Sequence, residues 1–205
     1  MIRLFICRHG NTFAAGETPR RVGARTDIPL VDSGLVQAKA LGDHFKAQDI
    51  TFNRAFCSRL QRTRQTAEII VERMGQQQTV DPLNFLNEIF YGPDENKTEE
   101  EVIARIGKDA IEKWDSDAIV PDGWDANPDF IIGDWLSFGD YVKYHFKDKN
   151  ILLVTSNGTA RFAPHLTGDF IRFQKNNDIK LKTGAYGIIA YDGHKWVIEA
   201  WNVRP

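Results

Sequence analysis

The sequence predicts a three-layer α/β domain, with a mostly parallel central sheet, helices on both faces and an antiparallel edge made by a C-terminal hairpin. Three observations lead there. Short apolar runs alternate with segments of helical periodicity, the order of strands and crossover helices in a parallel sheet. The most apolar run, Asn150 to Thr155, has the composition of a central strand. The runs Gly187 to Tyr191 and Trp196 to Trp201 flank Asp192-Gly193, a hairpin signal.

Taken in chain order, Arg3-Leu4-Phe5-Ile6-Cys7 reads as a buried strand that breaks into a polar, glycine-containing loop. Asp32 or Ser33 is placed to cap a helix whose apolar positions Leu35, Ala38, Leu41 and Phe45 keep helical spacing. Arg54 to Cys57 reads as a second strand, followed by a helix striped with Leu60, Ala67, Ile70 and Met74. Thr98-Glu99-Glu100-Glu101 has the form of a capping box and opens a helix through Val102, Ile106, Ala110 and Trp114. Val120 to Asp125 is turn-rich and reads as a surface loop, and Asn127-Pro128 offers a cap and first-turn proline for a helix toward Phe146. No repeat, low-complexity tract or linker divides the 205 residues, so one domain over 1–205 is expected.

Composition excludes several classes. Hydrophobic residues at 42% and charged residues at 26% are those of a soluble globular chain, and no segment approaches the roughly 20 apolar residues that cross a bilayer. The chain runs from Met1 straight into a strand-like segment without the pattern of a leader, so a cytoplasmic location and no membrane association are expected. Cys7 and Cys57 are too few for a disulfide framework and lack metal-ligand spacing; both sit in apolar runs and are expected to be buried thiols. Residues 1–64 hold eleven Lys and Arg against five Asp and Glu, and nine of the eleven are arginines, whose planar forks suit carboxylate or phosphate. Those arginines are scattered among motifs and the net charge is −2, which argues against nucleic acid as a partner.

Three predicted strand ends carry polar residues: Arg8-His9-Gly10-Asn11-Thr12, Ser58-Arg59 with Arg62 one turn on, and Ser156-Asn157-Gly158-Thr159. In open α/β sheets ligands gather at the carboxyl ends of strands, so the three segments are candidates for one pocket. His9 alone among five histidines follows a buried strand and precedes a glycine; His44, His145, His165 and His194 are expected to be structural. An imidazole at such a place can attack phosphorus if its other nitrogen is held by a hydrogen bond. Guanidinium groups would bind the phosphoryl oxygens, where transition-state charge must be held.

With these residues assembled, Arg8-His9-Gly10-Asn11-Thr12 resembles the Arg-His-Gly signature of the histidine phosphatase superfamily, whose members include phosphoglycerate mutases and many small-molecule phosphatases. Gly23 to Leu30 with Gly34 and Gln37-Ala38 is similar to the family's stretch between its first strand and first helix. Ser58-Arg59-Leu60-Gln61-Arg62-Thr63 resembles the segment that supplies a second phosphate-binding arginine, which falls on Arg62. Leu86-Asn87-Glu88 with Tyr91-Gly92 resembles the segment that supplies the acid, which falls on Glu88. The resemblance runs from residue 2 to about 200 and implies a phosphoglycerate mutase-like fold with a variable insertion at about 91–145. It implies a metal-independent phosphatase without a cofactor, acting on a small phosphorylated substrate. His9 would be the nucleophile and Glu88 the acid, with Arg8, Arg62, Asn157, Asn11 and Gly158 at the phosphate.

Two departures qualify that picture. Where the family has Ser-His-Gly after its fourth strand, this chain has Ser156-Asn157-Gly158, so the second catalytic histidine is replaced by Asn157. An amide donates a hydrogen bond but carries no charge, and losing a charge-assisted bond removes about 1 kcal/mol or more of transition-state binding, roughly tenfold in rate. The asparagine that mutases carry after the signature falls near Ala15, which weakens a mutase reading. A phospholigand-binding protein that has lost turnover, and a mutase-type phosphotransferase, stay open as alternatives.

Other phosphate chemistries fit less well. No P-loop pattern is present, and Cys57 to Arg62 is one residue short of a cysteine-phosphatase loop. Asp115-Ser116-Asp117 follows a helix and is expected to be its solvated end, and Trp114, Trp124 and Trp135 are expected in the core or a lid.

Overall fold

The structure, a computed structural model, describes residues 1–205. Six strands, β1 (Ile2–Arg8), β2 (Arg54–Cys57), β3 (Val80–Pro82), β4 (Asn150–Thr155), β5 (Tyr186–Tyr191) and β6 (Trp196–Val203), form one sheet in the order β3-β2-β4-β1-β5-β6. β1 pairs with β4, β4 with β2 and β2 with β3 in parallel, whereas β5 runs antiparallel to β1 and β6. The fold is therefore a three-layer α/β sandwich with an antiparallel hairpin edge.

The helices are α1 (Asp32–Ala47), α2 (Gln61–Arg73), α3 (Glu99–Ile106), α4 (Lys108–Asp117), α5 (Pro128–His145), the single turn α6 (Asn157–Ala160) and α7 (Phe170–Asn176). Side chains of β1 alternate between two cores, as the period of two requires. Leu4 and Ile6 join Ile151, Leu153 and Ile189 under α3, α4 and α5, with Val102, Trp114, Trp135 and Val142 facing them. Phe5 and Cys7 join Leu152 and Val154 under α1 and α2, where Leu41, Phe45, Ala67 and Ile70 pack. β1 and β4 are thus buried on both faces, which explains their unbroken apolar composition.

Several sequence expectations are corrected. α1 is capped by neither Asp32 nor Ser33: Val31 is the N-cap residue without a side-chain bond, and the Ser33 hydroxyl accepts from Asn11 Nδ2 at 3.2 Å. The capping box at Thr98 and Glu101 forms, but the helix it opens stops at Gly107, whose φ of 84° breaks it into α3 and α4. Residues 120–125 are not all surface: Trp124 is buried, stacks edge-on against Trp114 and donates from Nε1 to Asp94 at 2.6 Å. Asn127 caps α5 by accepting from the Asp129 N–H, and Pro128 fills its first position, as the sequence indicates. Strand β3 and helix α7 were not anticipated; three exposed or half-buried residues in β3 leave no apolar run to read.

The second core turns on Phe45, which is fully buried and meets Phe5, Phe52 and Tyr186 edge-on at centroid separations of 5.6, 5.3 and 4.9 Å. Phe45→Ala is expected to cost about 3–5 kcal/mol of unfolding free energy. Urea unfolding followed by circular dichroism measures it, and a loss under about 1 kcal/mol would mean that α1 is not held by this cluster.

Candidate active site

The site begins where β1 and β4 end level with one another, with Arg8 opposite Thr155. The His9 N–H donates to the Thr155 carbonyl at 3.1 Å, which extends the ladder by one residue and brings His9 beside Ser156 and Asn157. The chain then turns against the start of α1. A Cβ on Gly10 would lie 2.4 Å from the Gly34 carbonyl oxygen, and one on Gly34 would lie 2.2 Å from the Asn11 carbonyl oxygen. Only two facing glycines allow that approach.

His9 is 6% exposed, and its Nδ1 lies 2.7 Å from the Gly10 carbonyl oxygen. A carbonyl can only accept, so Nδ1 carries the proton and Nε2 holds the free lone pair. Burial holds the imidazole well below the usual histidine range, and the Arg62 and Arg8 charges push it further down. At neutral pH the ring is therefore a neutral Nδ1–H tautomer.

A cavity of about 610 Å³ opens above His9 and is also lined by Arg8, Asn11, Glu88 and Asn157. Arg8 donates from Nη1 to the Leu181 carbonyl at 2.7 Å, and its Nε is buried with no acceptor in the protein. Both oxygens of Glu88 are held by backbone donors, Oε1 by the Ile89 N–H at 2.9 Å and Oε2 by the Gly158 N–H at 3.1 Å. Asn157 accepts from the Leu181 N–H at 3.0 Å through Oδ1, which leaves its amide N–H groups as donors at the cavity.

The other expected phosphate contacts are occupied within the protein. Arg62 is 1% exposed and donates to the carbonyls of Val22, Gly23 and Thr26, so it ties down the 22–26 loop from behind the cavity while its charge acts on His9. The Gly158 N–H is directed to Glu88, and the Asn11 side chain is held between Thr183 and Ser33. The remaining four histidines line no part of the cavity. Cys7 and Cys57 are both free and buried, as expected.

Some residues that shape the site carried no signal. Asp115, expected as a solvated helix end, lines the cavity and pairs with Lys180 at 2.8 Å. Glu95 accepts from the Gly23 and Arg25 N–H groups, the Thr26 hydroxyl and the Tyr91 N–H, and so fixes the loop that Arg62 also grips. Arg161 is 1% exposed at the cavity wall, and its place four residues beyond Asn157 is the one clue the sequence offered. Burial pulls its guanidinium down to about 10, which still leaves it charged.

The His9 ring is expected to stay neutral and Nδ1-protonated across about pH 6 to 8, the range in which an ordinary histidine titrates. Long-range ¹H–¹⁵N spectra of the imidazole check this, and a titration with a midpoint near the unperturbed value would contradict it. Since the folded form binds this proton more weakly than the unfolded chain, His9 costs no stability above pH 6.5 and destabilises progressively as the pH falls below it.

Comparisons with known proteins agree with the geometry. The family model of the histidine phosphatase superfamily (branch 1) matches residues 4–204. A 2,3-bisphosphoglycerate-dependent phosphoglycerate mutase from Bartonella quintana (strain Toulouse) is 28% identical over 183 residues, 87% of this chain and 88% of the relative. The structure of the alpha-ribazole phosphatase from Shigella flexneri superposes with a TM-score of 0.74 at 22% identity, covering 98% of this chain and 96% of that one. A mycobacterial glucosyl-3-phosphoglycerate phosphatase superposes with a TM-score of 0.82 at 18% identity, covering 99% of each chain. At these identities the two structures speak for the fold, and the match over nearly the whole sequence speaks for descent: the chain belongs to the histidine phosphatase superfamily.

Proposed function

We propose that the protein is a metal-independent phosphomonoesterase that works through a phosphohistidine on His9. The observation that carries this reading is the His9 Nδ1 bond to the Gly10 carbonyl, which leaves Nε2 as a neutral nucleophile at the cavity. A phosphoglycerate mutase and phosphatases among the similar proteins support a small phosphorylated molecule as the substrate.

In the first step the Nε2 lone pair forms a bond to phosphorus as the ester P–O bond breaks. Glu88, in its acid form, gives a proton to the departing oxygen. Arg8 and the Asn157 amide donate to the phosphoryl oxygens, and Arg62 contributes positive potential from behind. In the second step the Glu88 carboxylate takes a proton from water, whose oxygen displaces the imidazole and releases phosphate. His9 returns to its neutral form. Asn157 supplies a donor without charge, so phosphoryl binding rests more heavily on Arg8.

Rapid quench with a labelled phosphoester is expected to trap an acid-labile, base-stable adduct on the wild type and none on His9→Ala, which should lose hydrolysis of p-nitrophenyl phosphate by at least about a thousandfold. A fully active His9→Ala protein would remove the mechanism.

Glu88 gives a second test through its support. A Cβ at residue 158 would lie 2.1 Å from Glu88 Oε1, so Gly158→Ala must move the carboxyl group. Gly158→Ala and Glu88→Gln should both slow an alkyl phosphate by about 10²-fold or more and p-nitrophenyl phosphate much less, because a nitrophenolate departs without help. Equal losses on the two substrates would make Glu88 structural.

A further inference from the structure

Arg8 and Arg161 in the cavity wall and Arg62 behind it have no counter-charge in an ion pair. The ion pairs of this protein's arginines are made by Arg3, Arg21, Arg64, Arg73 and Arg105, and none by Arg8, Arg62 or Arg161. A buried cation without a partner charge is costly, and a protein keeps one where a bound anion completes it. Arg8 and Arg62 are accounted for, since theirs are the charges that bear on His9 and hence on the phosphoryl group. Arg161 is not.

Arg161 is fixed in the cavity wall. Its Nε donates to the Asn157 carbonyl at 3.3 Å, Nη1 donates to the Trp114 carbonyl, and the guanidinium lies 3.7 Å from the centre of the Trp114 ring. Nη2 has no acceptor in the protein and is not sealed in the core. The charge of Arg161 is felt with those of Glu88, Asp115 and Arg8, whereas the charges that bear on His9 are those of Arg62 and Arg8. Glu88, on the phosphomonoesterase reading, stands beside the departing oxygen, so Arg161 lies beyond it on the leaving-group side. Of the other cations there, Lys180 is neutralised by Asp115 at 2.8 Å and Arg21 by Glu99 at 2.5 Å, while Arg20 is exposed to solvent, which screens it.

We propose that Arg161 binds an anionic group, a carboxylate or a second phosphate, on the leaving-group half of the substrate, so that the preferred substrates are phosphomonoesters bearing a second negative charge. The proposal rests on the phosphomonoesterase reading for the orientation of the substrate. The rigid seat of the guanidinium gives it directional force: a planar fork held by two carbonyls and an indole face offers its remaining edge without losing side-chain freedom on binding. Tyr91 and Asp115 also line the cavity, and with Asp115 taken by Lys180 the buried guanidinium of Arg161 is left without a counter-charge.

The test uses matched pairs that differ in the second charge alone: 3-phosphoglycerate against glycerol 3-phosphate for the carboxylate, and propane-1,3-diol bisphosphate against its monophosphate for the phosphate. Binding is measured by calorimetry and turnover by phosphate release, on the wild type, Arg161→Met and Arg161→Lys. The wild type should favour one or both charged members by roughly tenfold or more, the pair that responds naming the anion. Arg161→Met should reduce that ratio to within about twofold, and Arg161→Lys should retain part of it. A wild-type ratio near one in both pairs overturns the proposal even if Arg161→Met fails to fold, and so does an unchanged ratio in a folded Arg161→Met. Preferential binding of the charged members without any phosphate release would leave the subsite standing and remove the phosphomonoesterase reading instead.

Discussion

The site depends on the register of one strand pair. β1 and β4 run parallel with Arg8 opposite Thr155, and the extra bond from the His9 N–H to the Thr155 carbonyl keeps the chains together one residue past the strand. A slip of one residue would carry the whole of β1 to the wrong faces and expose Leu4 and Ile6 to the other core. Because both strands are buried on both sides, a slip would exchange one core for the other, and the register is set by how these side chains fit two differently packed cores. Each fully buried Leu, Ile or Val side chain there contributes about 1.5–3 kcal/mol. The chemistry at the strand ends is thus aligned by apolar residues that take no part in it.

A second layer of order comes from carboxylates that serve the backbone. Glu95 gathers four donors from residues 23, 25, 26 and 91, and Arg62 grips three carbonyls of the same loop from the opposite side. Glu88 is seated by two N–H groups from different segments, one from β4's end and one from its own. Such charge-assisted bonds to fixed backbone donors hold a loop without any regular secondary structure. They also mean that charged residues near a cavity divide into those that face it and those that build it.

That division is what sequence could not show. Strands, the capping box at Thr98 and the Asn127-Pro128 helix start were legible because their signals are local: an apolar run, or two residues three apart. Arg8, His9 and Asn157 were legible at strand ends and Glu88 through the resemblance of Leu86-Asn87-Glu88 to a family segment, and the structure brings the four to one cavity. Arg62, Asn11 and Gly158 were also named with the site, and their polar groups are engaged by protein partners 22 or more residues away in sequence, Asn11 from within the cavity wall. Asp115, Glu95 and Arg161 were passed over for the same reason. A helix-end aspartate looks solvated until Lys180 is folded onto it.

The burial of the two thiols has a consequence for the conditions the site tolerates. Cys7 lies two residues before His9 in the sealed core beneath α1 and α2, and Cys57 ends β2, two strands along the sheet with β4 between. Burial pushes both thiols up, Cys57 to about 11, so neither is a thiolate at neutral pH. Oxidants attack thiolates, and imidazole is inert to the peroxide levels that convert an exposed reactive cysteine to a sulfenic acid. The cavity above His9 therefore stands beside thiols that are walled off and protonated, and an oxidant that enters it meets no thiolate.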